Sequence, residues 1–314
     1  MNIFVTGGAG FIGSFLTEHL LQNGHNVTVY DSLVNSSEDN AKRLQKLNAN
    51  FICGDISDLD NLSKSISGHD VCIHLAAQID VLESIKNPLN NNTINISGTR
   101  NVLNSCVKNN VSVIAASTAA LYEESKEPLS ESSSIKPKSP YGESKLAMEQ
   151  ILYDYSKIHH INSLSLRIFN VFGKGQNIKY AGVITKFLEN IRNDKNLTIF
   201  GDGNATRDFV SVNDVVDAIV LAIKRIEGKR GEIINVGSGN SIKISELAKM
   251  MISISGKDSS RIEYKPENND EIINSKSNIS LARKMLEFSP KISLRDCLLY
   301  TSDAADERSS VDLG

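Results

Sequence analysis

Between two short apolar runs near the N-terminus, Ile3–Val5 and Val27–Tyr30, the chain reads TGGAGFIGSFLTEHLLQNGH. Gly7, Gly8, Gly10 and Gly13 leave a turn without side chains, and Phe15, Leu16, His19 and Leu20 then repeat at helical spacing until Gly24. Strand, bare turn, helix and second strand make a βαβ unit. At its turn, over Gly7, Gly10, Phe11, Ile12 and Gly13, backbone N–H groups at the helix start can approach a pyrophosphate. Asp31 closes the second strand, eighteen residues after Gly13. A carboxylate there accepts hydrogen bonds from both ribose hydroxyls and repels a 2′-phosphate, so NAD is favoured over NADP.

The alternation continues. Helical spacing at 40–47 leads to an apolar run at 51–53, then strand-like VCIHLAA at 71–77, a long helical stretch at about 88–108 and a further strand at 111–117. Nearly continuous apolar strands separated by helices predict an α/β fold, a Rossmann-type doubly wound parallel sheet covered on both faces. Ligands of such sheets sit beyond the carboxyl ends of the strands. Asp55, Ile56, Leu75, Ala76, Ala77, Ser117 and Thr118 follow those ends, which makes them cofactor-side candidates. Asp55 fits a helix N-cap or turn equally well. Residues 1–169 are expected to form the NAD-binding domain, with about 205–237 returning to it. Residues 170–296, richer in Gly, Asn and isolated basic residues, are expected to form a smaller α/β substrate-binding region.

Composition narrows the partners. The 34 Lys and Arg against 37 Asp and Glu give a net charge of −3 without a dense basic run, which argues against nucleic acid or an anionic membrane surface. No run approaches the length of a membrane span and the N-terminus enters a strand directly, so a cytoplasmic protein acting on a small molecule is expected. Cys53, Cys72, Cys106 and Cys297 are widely spaced and read as buried free thiols. The six histidines do not cluster either, so no metal is expected.

A tyrosine is followed four residues later by a lysine three times, at Tyr122/Lys126, Tyr141/Lys145 and Tyr153/Lys157. One helical turn apart, an ammonium can lower the pKa of a phenol and make it an acid/base group, but the pattern alone also fits solvated helix faces. Tyr122 precedes polar, Pro-interrupted EESKEPLSESSS and is expected in a loop. Tyr141 opens a run in which Leu146, Met148, Ile151 and Leu152 keep helical spacing, so Tyr141 and Lys145 share a face. Tyr153 falls about 120° farther around that helix and cannot meet the same ligand. Tyr141 is the candidate.

TGGAGFIG, Asp31, GDI, HLAAQ, NISGT, STAALY, SPYGESK, LRIFNVFG and GDGNATRDFVSVNDV occur in the order and spacing of the extended short-chain dehydrogenase/reductases. Over residues 1–296 the chain resembles their NAD-dependent nucleotide-sugar epimerase/dehydratase group. The resemblance implies Tyr141 as acid/base, Lys145 holding the nicotinamide ribose and lowering the tyrosine pKa, and Thr118 positioning a sugar alcohol. An ammonium about 4 Å away is worth on the order of 4 kcal/mol, or roughly 3 pK units, before desolvation. It also implies NAD contacts from Asn95 and Phe169. Ser84, Asn170, Tyr180, Val183, Arg207 and Glu271 would lie on the substrate side, although Arg207 could instead pair with Asp208.

The 4,6-dehydratases it resembles carry Asp-Glu directly after the threonine, and the UDP-glucuronate decarboxylases carry Glu at the second place; here Ala119 and Ala120 stand there. AAQIDV and YAGVI are most similar to 4-epimerases of UDP-glucose and UDP-N-acetylglucosamine. The expected activity is 4-epimerization of a UDP-hexose, with another oxidoreductase or epimerase of the group, or a silent NAD-binding sensor, as alternatives. Relatives place Arg in the stretch where NNDE, Asn268–Glu271, stands, which weakens the expected diphosphate grip. Glu123 likewise replaces a glycine. The group also implies a homodimer through helices at about 88–108 and 141–158 with apolar second faces. Finally, CLLYTSDAADERSSVDLG, 297–314, loses all periodicity. It can be written as the translation of a transposase end plus adapter and is read as a non-native tail replacing a last helix, with a variable natural tail as the alternative.

Overall fold

The computed structural model describes residues 1–176, 182–256, 261–266 and 273–299. Its first unit runs β1 (Asn2–Thr6), α1 (Phe11–Gln22), β2 (Asn26–Asp31), α2 (Glu38–Lys46), β3 (Asn50–Cys53), α3 (Leu59–Ser65) and β4 (Val71–His74). The chain then forms α4 (Val81–Lys86), α5 (Pro88–Asn92), α6 (Thr99–Asn109), β5 (Ser112–Thr118), α7 (Pro140–His159) and β6 (Ser163–Ile168). Later elements are β7 (Asn170–Phe172), α8 (Val183–Arg192), β8 (Leu197–Phe200), β9 (Thr206–Arg207), β10 (Phe209–Ser211), α9 (Val212–Lys224) and β11 (Arg230–Val236). They are followed by β12 (Ile242–Lys243), α10 (Ile244–Ser255), β13 (Ile262–Lys265) and α11 (Ser280–Leu286).

Seven strands form one sheet in the order β11-β6-β5-β4-β1-β2-β3, every neighbouring pair parallel. This is the doubly wound Rossmann-type sheet expected from the alternation. Strand order reverses between β1 and β4, which opens a crevice at their carboxyl ends. One face buries Leu16, Leu20, Val215, Ile219 and Leu286 against Val5, Val29 and Ile234; the other buries Leu62, Val102, Leu103, Met148 and Leu152 against Phe4, Cys72 and Val113. A separate cluster joins Phe187, Leu197, Ile199, Leu247 and Met251 around α8, α10 and β8. The sheet's cores thus draw in α9, β11 and α11 from the later part of the chain, while α8, α10 and β8 pack around a cluster of their own.

Several boundaries differ from expectation for local reasons. The 71–77 strand stops at His74, because Leu75–Ala77 leave the sheet to line the crevice. The helical stretch at 88–109 is interrupted by a π-helical segment, Thr93–Gly98, where Gly98 is bare because a Cβ would meet Ile56 Cδ1 at 2.5 Å. Of the cysteines, Cys72 and Cys106 are buried, Cys297 is half-buried, and Cys53 is exposed because β3 is an edge strand. The outer face of α6 is polar, at Arg100, Asn104 and Lys108, while exposed apolar residues gather earlier, at Leu82, Ile85 and Leu89 of α4 and α5. The exposed apolar residues thus lie mainly before the 88–108 stretch, in α4, with Leu89 at its start. Residues 294–299 are helical and Leu298 is buried in the later core, so the break drawn at Cys297 falls within a packed turn; 300–314 lie outside the described residues.

Candidate active site

The glycine turn forms the floor of a cavity of about 350 Å³ at the carboxyl ends of the strands. Gly7 has φ +68° and its missing Cβ would meet the Ala76 backbone at 2.7 Å, while one on Gly13 would meet the Gly7 carbonyl at 2.2 Å. Only hydrogen fits at either place. Gly10, Phe11, Ile12, Asp31, Asp55, Ile56, Leu75, Ala76 and Ala77 line the same cavity, as do Ser117, Thr118, Tyr141, Lys145 and Phe169. This is the shape and donor set a dinucleotide needs: a bare helix start for its phosphates and a carboxylate for its ribose.

Asp31 is nearly buried, and its carboxylate already accepts from the Ala9 N–H, the Leu33 N–H and the Ser36 hydroxyl. Three of its roughly four acceptor directions are taken, which orients it firmly and makes Ser36 part of its surroundings. Asp58, not Asp55, caps α3; the Asp55 carboxylate closes a turn on the Ser57 N–H. The Asp55 carbonyl accepts from the Tyr30 hydroxyl at 3.0 Å, so β2 and the loop after β3 are tied together beneath the cavity.

Ser139 caps α7 by accepting from the Gly142 N–H, and Pro140 occupies the first helical position, where no donor is lost. That places Tyr141 in the first turn and Lys145 one turn on, at the end of β5 where Thr118 sits. Thr118 Oγ1 accepts from the Ala120 N–H at 3.2 Å and so caps the short turn after the strand. The three predicted reaction residues are brought together at the cavity wall.

Their electrostatics correct one expectation. Burial pushes the Tyr141 phenol up to about 12, opposed by a hydrogen bond with Thr118. Burial likewise brings the Lys145 ammonium down to about 8, against the pull of Glu149. Lys145 Nζ donates to the Ala116 carbonyl at 2.9 Å. The depression expected of the phenol is absent here, because desolvation dominates and the lysine is held by the β5 backbone.

Two other candidates, Asn95 and Ser84, are bonded within the protein in ways that support α7. Asn95 is buried, and its carboxamide accepts from the Gln78 N–H and donates toward the Gln78 carbonyl, Asn91 Oδ1 and Ser144 Oγ. With those bonds made, it braces the loop after β4 against α7. Ser84 is fully buried; it donates to the Val81 carbonyl and accepts from the Tyr141 N–H, so it seats the first turn of α7.

On the far side of Thr118, a second chamber is lined by Ala119, Ala120, Glu124, Lys138, Asn170 and Arg207. Asn170 donates to the Asp208 carbonyl at 3.1 Å. The Asp208 carboxylate is fully buried and is taken up by Ser238, Gly239 and Ser277, which accounts for its burial without Arg207. Arg207 and Asn170 also border a larger cleft reaching Val183 at the start of α8. Tyr180, Asn268 and Glu271 lie outside the described residues.

Sequence reasoning passed over Gln176, which borders both the cofactor cavity and that cleft, and a buried polar group behind Thr118. Glu149 accepts from Ser117 Oγ at 2.5 Å and from Arg167 Nε and Nη2 at 2.8 and 2.7 Å. Glu149 lies one turn after Lys145, next to the apolar positions Met148, Ile151 and Leu152, which was the sequence signal for it.

Among the described residues no helix is long and apolar enough to cross a membrane, and no cluster of metal-ligating side chains is present. Comparison with known proteins agrees with the geometry. The family described as "NAD dependent epimerase/dehydratase family" matches residues 3–237. A UDP-N-acetyl-alpha-D-glucosaminuronate decarboxylase from Bacillus cytotoxicus is 32% identical, covering 95% of each chain. The UDP-glucose 4-epimerase of Thermotoga maritima, solved with UDP-glucose, superposes with TM-score 0.91 at 34% identity, covering 98% of this chain and 99% of its own. The UDP-glucuronic acid 4-epimerase of Bacillus cereus, solved with UDP-glucuronic acid and NAD, gives 0.90 at 33% identity over 98% and 100%.

Proposed function

Because the chain belongs to the NAD-dependent epimerase/dehydratase family, we propose that it inverts C4 of a UDP-hexose, UDP-glucose/UDP-galactose or the N-acetyl forms, by reversible oxidation. The observation that carries this reading is the meeting of Thr118, Tyr141 and Lys145 at the cofactor cavity, with two alanines, Ala119 and Ala120, as the neighbouring wall. Tyr141 takes the proton of the sugar 4-hydroxyl, with Thr118 holding that hydroxyl. Lys145 is the group that would grip the nicotinamide ribose, and its charge together with that of the nicotinamide ring would have to offset the burial that raises the Tyr141 phenol. Gly7–Gly13 and Asp31 would hold NAD, which would supply a reversible hydride acceptor at C4, so that inversion through a 4-keto sugar would leave no net redox change. Ala119 and Ala120 offer no carboxyl group to drive elimination of water, which sets the dehydratase reading aside. Arg207 and Asn170 are the candidate diphosphate contacts, and Val183 borders the nucleotide end.

The test is direct. Purified protein without added NAD is mixed separately with UDP-galactose, UDP-N-acetylgalactosamine and UDP-glucuronic acid, and products are resolved by chromatography. The 4-epimer without net NADH is the expected product. Release of carbon dioxide from the glucuronate, or a stoichiometric rise in NADH, replaces this reading with decarboxylation or net oxidation. A homodimer seated on Leu82, Ile85 and Leu89 belongs to the same proposal; light scattering of Leu82→Glu, expected to report monomer, checks it.

A further inference from the structure

Behind the reacting residues lies a charged group that the proposed chemistry does not touch. Glu149 sits one turn beyond Lys145 on α7, 4% exposed. Arg167, on β6, is 3% exposed and grips its carboxylate through two parallel N–H donors, and Ser117 adds a third bond at 2.5 Å. Ser117 immediately precedes Thr118. Arg167 in turn stacks over the Tyr122 ring at 4.9 Å and donates to the Glu131 carbonyl, and Tyr122 donates to Asn235 at 2.6 Å. The carboxylate is thus held by two strands and a helix.

We propose that Glu149 is a positioning residue of the reaction centre: clamped by Arg167 and Ser117, its carboxylate keeps the Lys145 ammonium charged and fixes the strand end that bears Thr118. The inference rests on the epimerase reading for what that charge accomplishes, and on geometry for the clamp by Arg167 and Ser117 and for the one-turn spacing from Lys145 on α7. The groups facing Lys145 are few. From α7 come Tyr141 and Glu149; from β4 comes His74, held between the hydroxyls of Thr6 and Thr99 at 2.8 and 3.0 Å; from β6 comes Arg167, turned toward Glu149. On β5 the Ala116 carbonyl accepts from Nζ, and the Met148 sulfur lies 4.0 Å away. Burial and neutral His74 leave Glu149 as the one negative charge in this set, and it opposes the loss of the lysine's proton. A buried carboxylate with three bonds is costly unless each is kept, which is why its orientation is fixed.

Full-length protein labelled with 13Cε-lysine supplies the test, the Lys145 signal being identified by its loss in Lys145→Arg. In Glu149→Gln that signal is expected to titrate lower than in wild type by about one unit or more. The alkaline limb of UDP-galactose turnover should move down with it, and Glu149→Asp, which keeps the charge, should restore both. If Glu149→Gln strands Arg167 and does not fold, the double variant Glu149→Gln/Arg167→Gln is compared with Arg167→Gln alone, since those two differ only in the negative charge one turn from Lys145, and the same lowering is expected. An unchanged Lys145 titration overturns the proposal, however much stability falls. Should wild type convert no sugar nucleotide, the epimerase reading fails while the lysine titration still decides the role of Glu149.

Discussion

The first and last turns of α7 carry the same pair at the same spacing, Tyr141 with Lys145 and Tyr153 with Lys157, on one continuous helix. At the first turn Lys145 is 4% exposed and its Nζ is bonded to the Ala116 carbonyl beneath the cofactor cavity. At the last, Tyr153 is 45% exposed and Lys157 Nζ lies 5.1 Å over its own partner's ring, facing water. Spacing makes the two residues neighbours in both places. Only the first pair is desolvated, adjoins Thr118 and opens onto the crevice where the strand order reverses, and there a charge is worth several times what it is worth at the surface.

The largest way to break the comparison is to remove each phenol oxygen in turn. Tyr141→Phe should lower kcat by roughly 10²- to 10⁴-fold, the scale of a lost general acid/base, while the purified protein keeps its NAD. Unchanged turnover would move the acid/base role to another group. Next come the lysines. On the proposed role of Lys145 as the ribose contact, Lys145→Met removes a charge-assisted bond of about 1.5–3 kcal/mol, so NAD affinity should fall roughly 10- to 100-fold by calorimetry. Lys157→Met should leave it within twofold.

The dry surroundings of the first turn also predict a pH dependence of stability. His74, buried between Thr6 and Thr99 on the strand next to β5, has its pKa lowered from 6.5 to about 3, first by burial and then by Lys145. The unfolded imidazole takes up a proton at about 6.5, the folded one only near 3, so the unfolded state binds more protons in that window. Stability from this group is therefore present above pH 6.5 and is lost as pH falls, by up to about 1.4 kcal/mol per unit. Urea unfolding at pH 7.5 and 5.5 should show the drop, and His74→Asn should flatten it by one proton; equal slopes would mean that His74 is not held neutral.

The fold was legible because its signals are backbone signals. Gly7 and Gly13 are required by contacts under 3 Å, and Asp31 closes a strand whose apolar run is continuous, so local sequence reports them directly. Tyr141 was legible for a related reason, since Ser139 and Pro140 announce the helix start that places it. The supporting residues were not. Asn95 and Ser84 match positions that a resemblance assigns to ligands, yet their bonds are decided by Gln78, Ser144 and the Tyr141 N–H, partners up to 57 residues away. Glu149 and Arg167 are 18 residues apart and meet only once α7 and β6 pack. Side chains that satisfy one another across elements leave no periodicity to read.

The smallest expected effect is the most discriminating check on that reasoning. Tyr153 packs its Cα and ring edge against Gly231 of β11, where a Cβ would meet Tyr153 at 2.8 Å, so the ring itself has a place in the fold. Its hydroxyl contributes no buried bond, and the Lys157 contact is a surface cation–π pair worth at most about 0.5–1 kcal/mol that phenylalanine retains in large part. Tyr153→Phe should therefore change unfolding free energy by less than about 0.5 kcal/mol and leave turnover and NAD content at wild-type values. A loss of activity comparable to that of Tyr141→Phe would show that spacing on the helix, and not burial beside the crevice, confers the chemistry, and would overturn the distinction between the two turns.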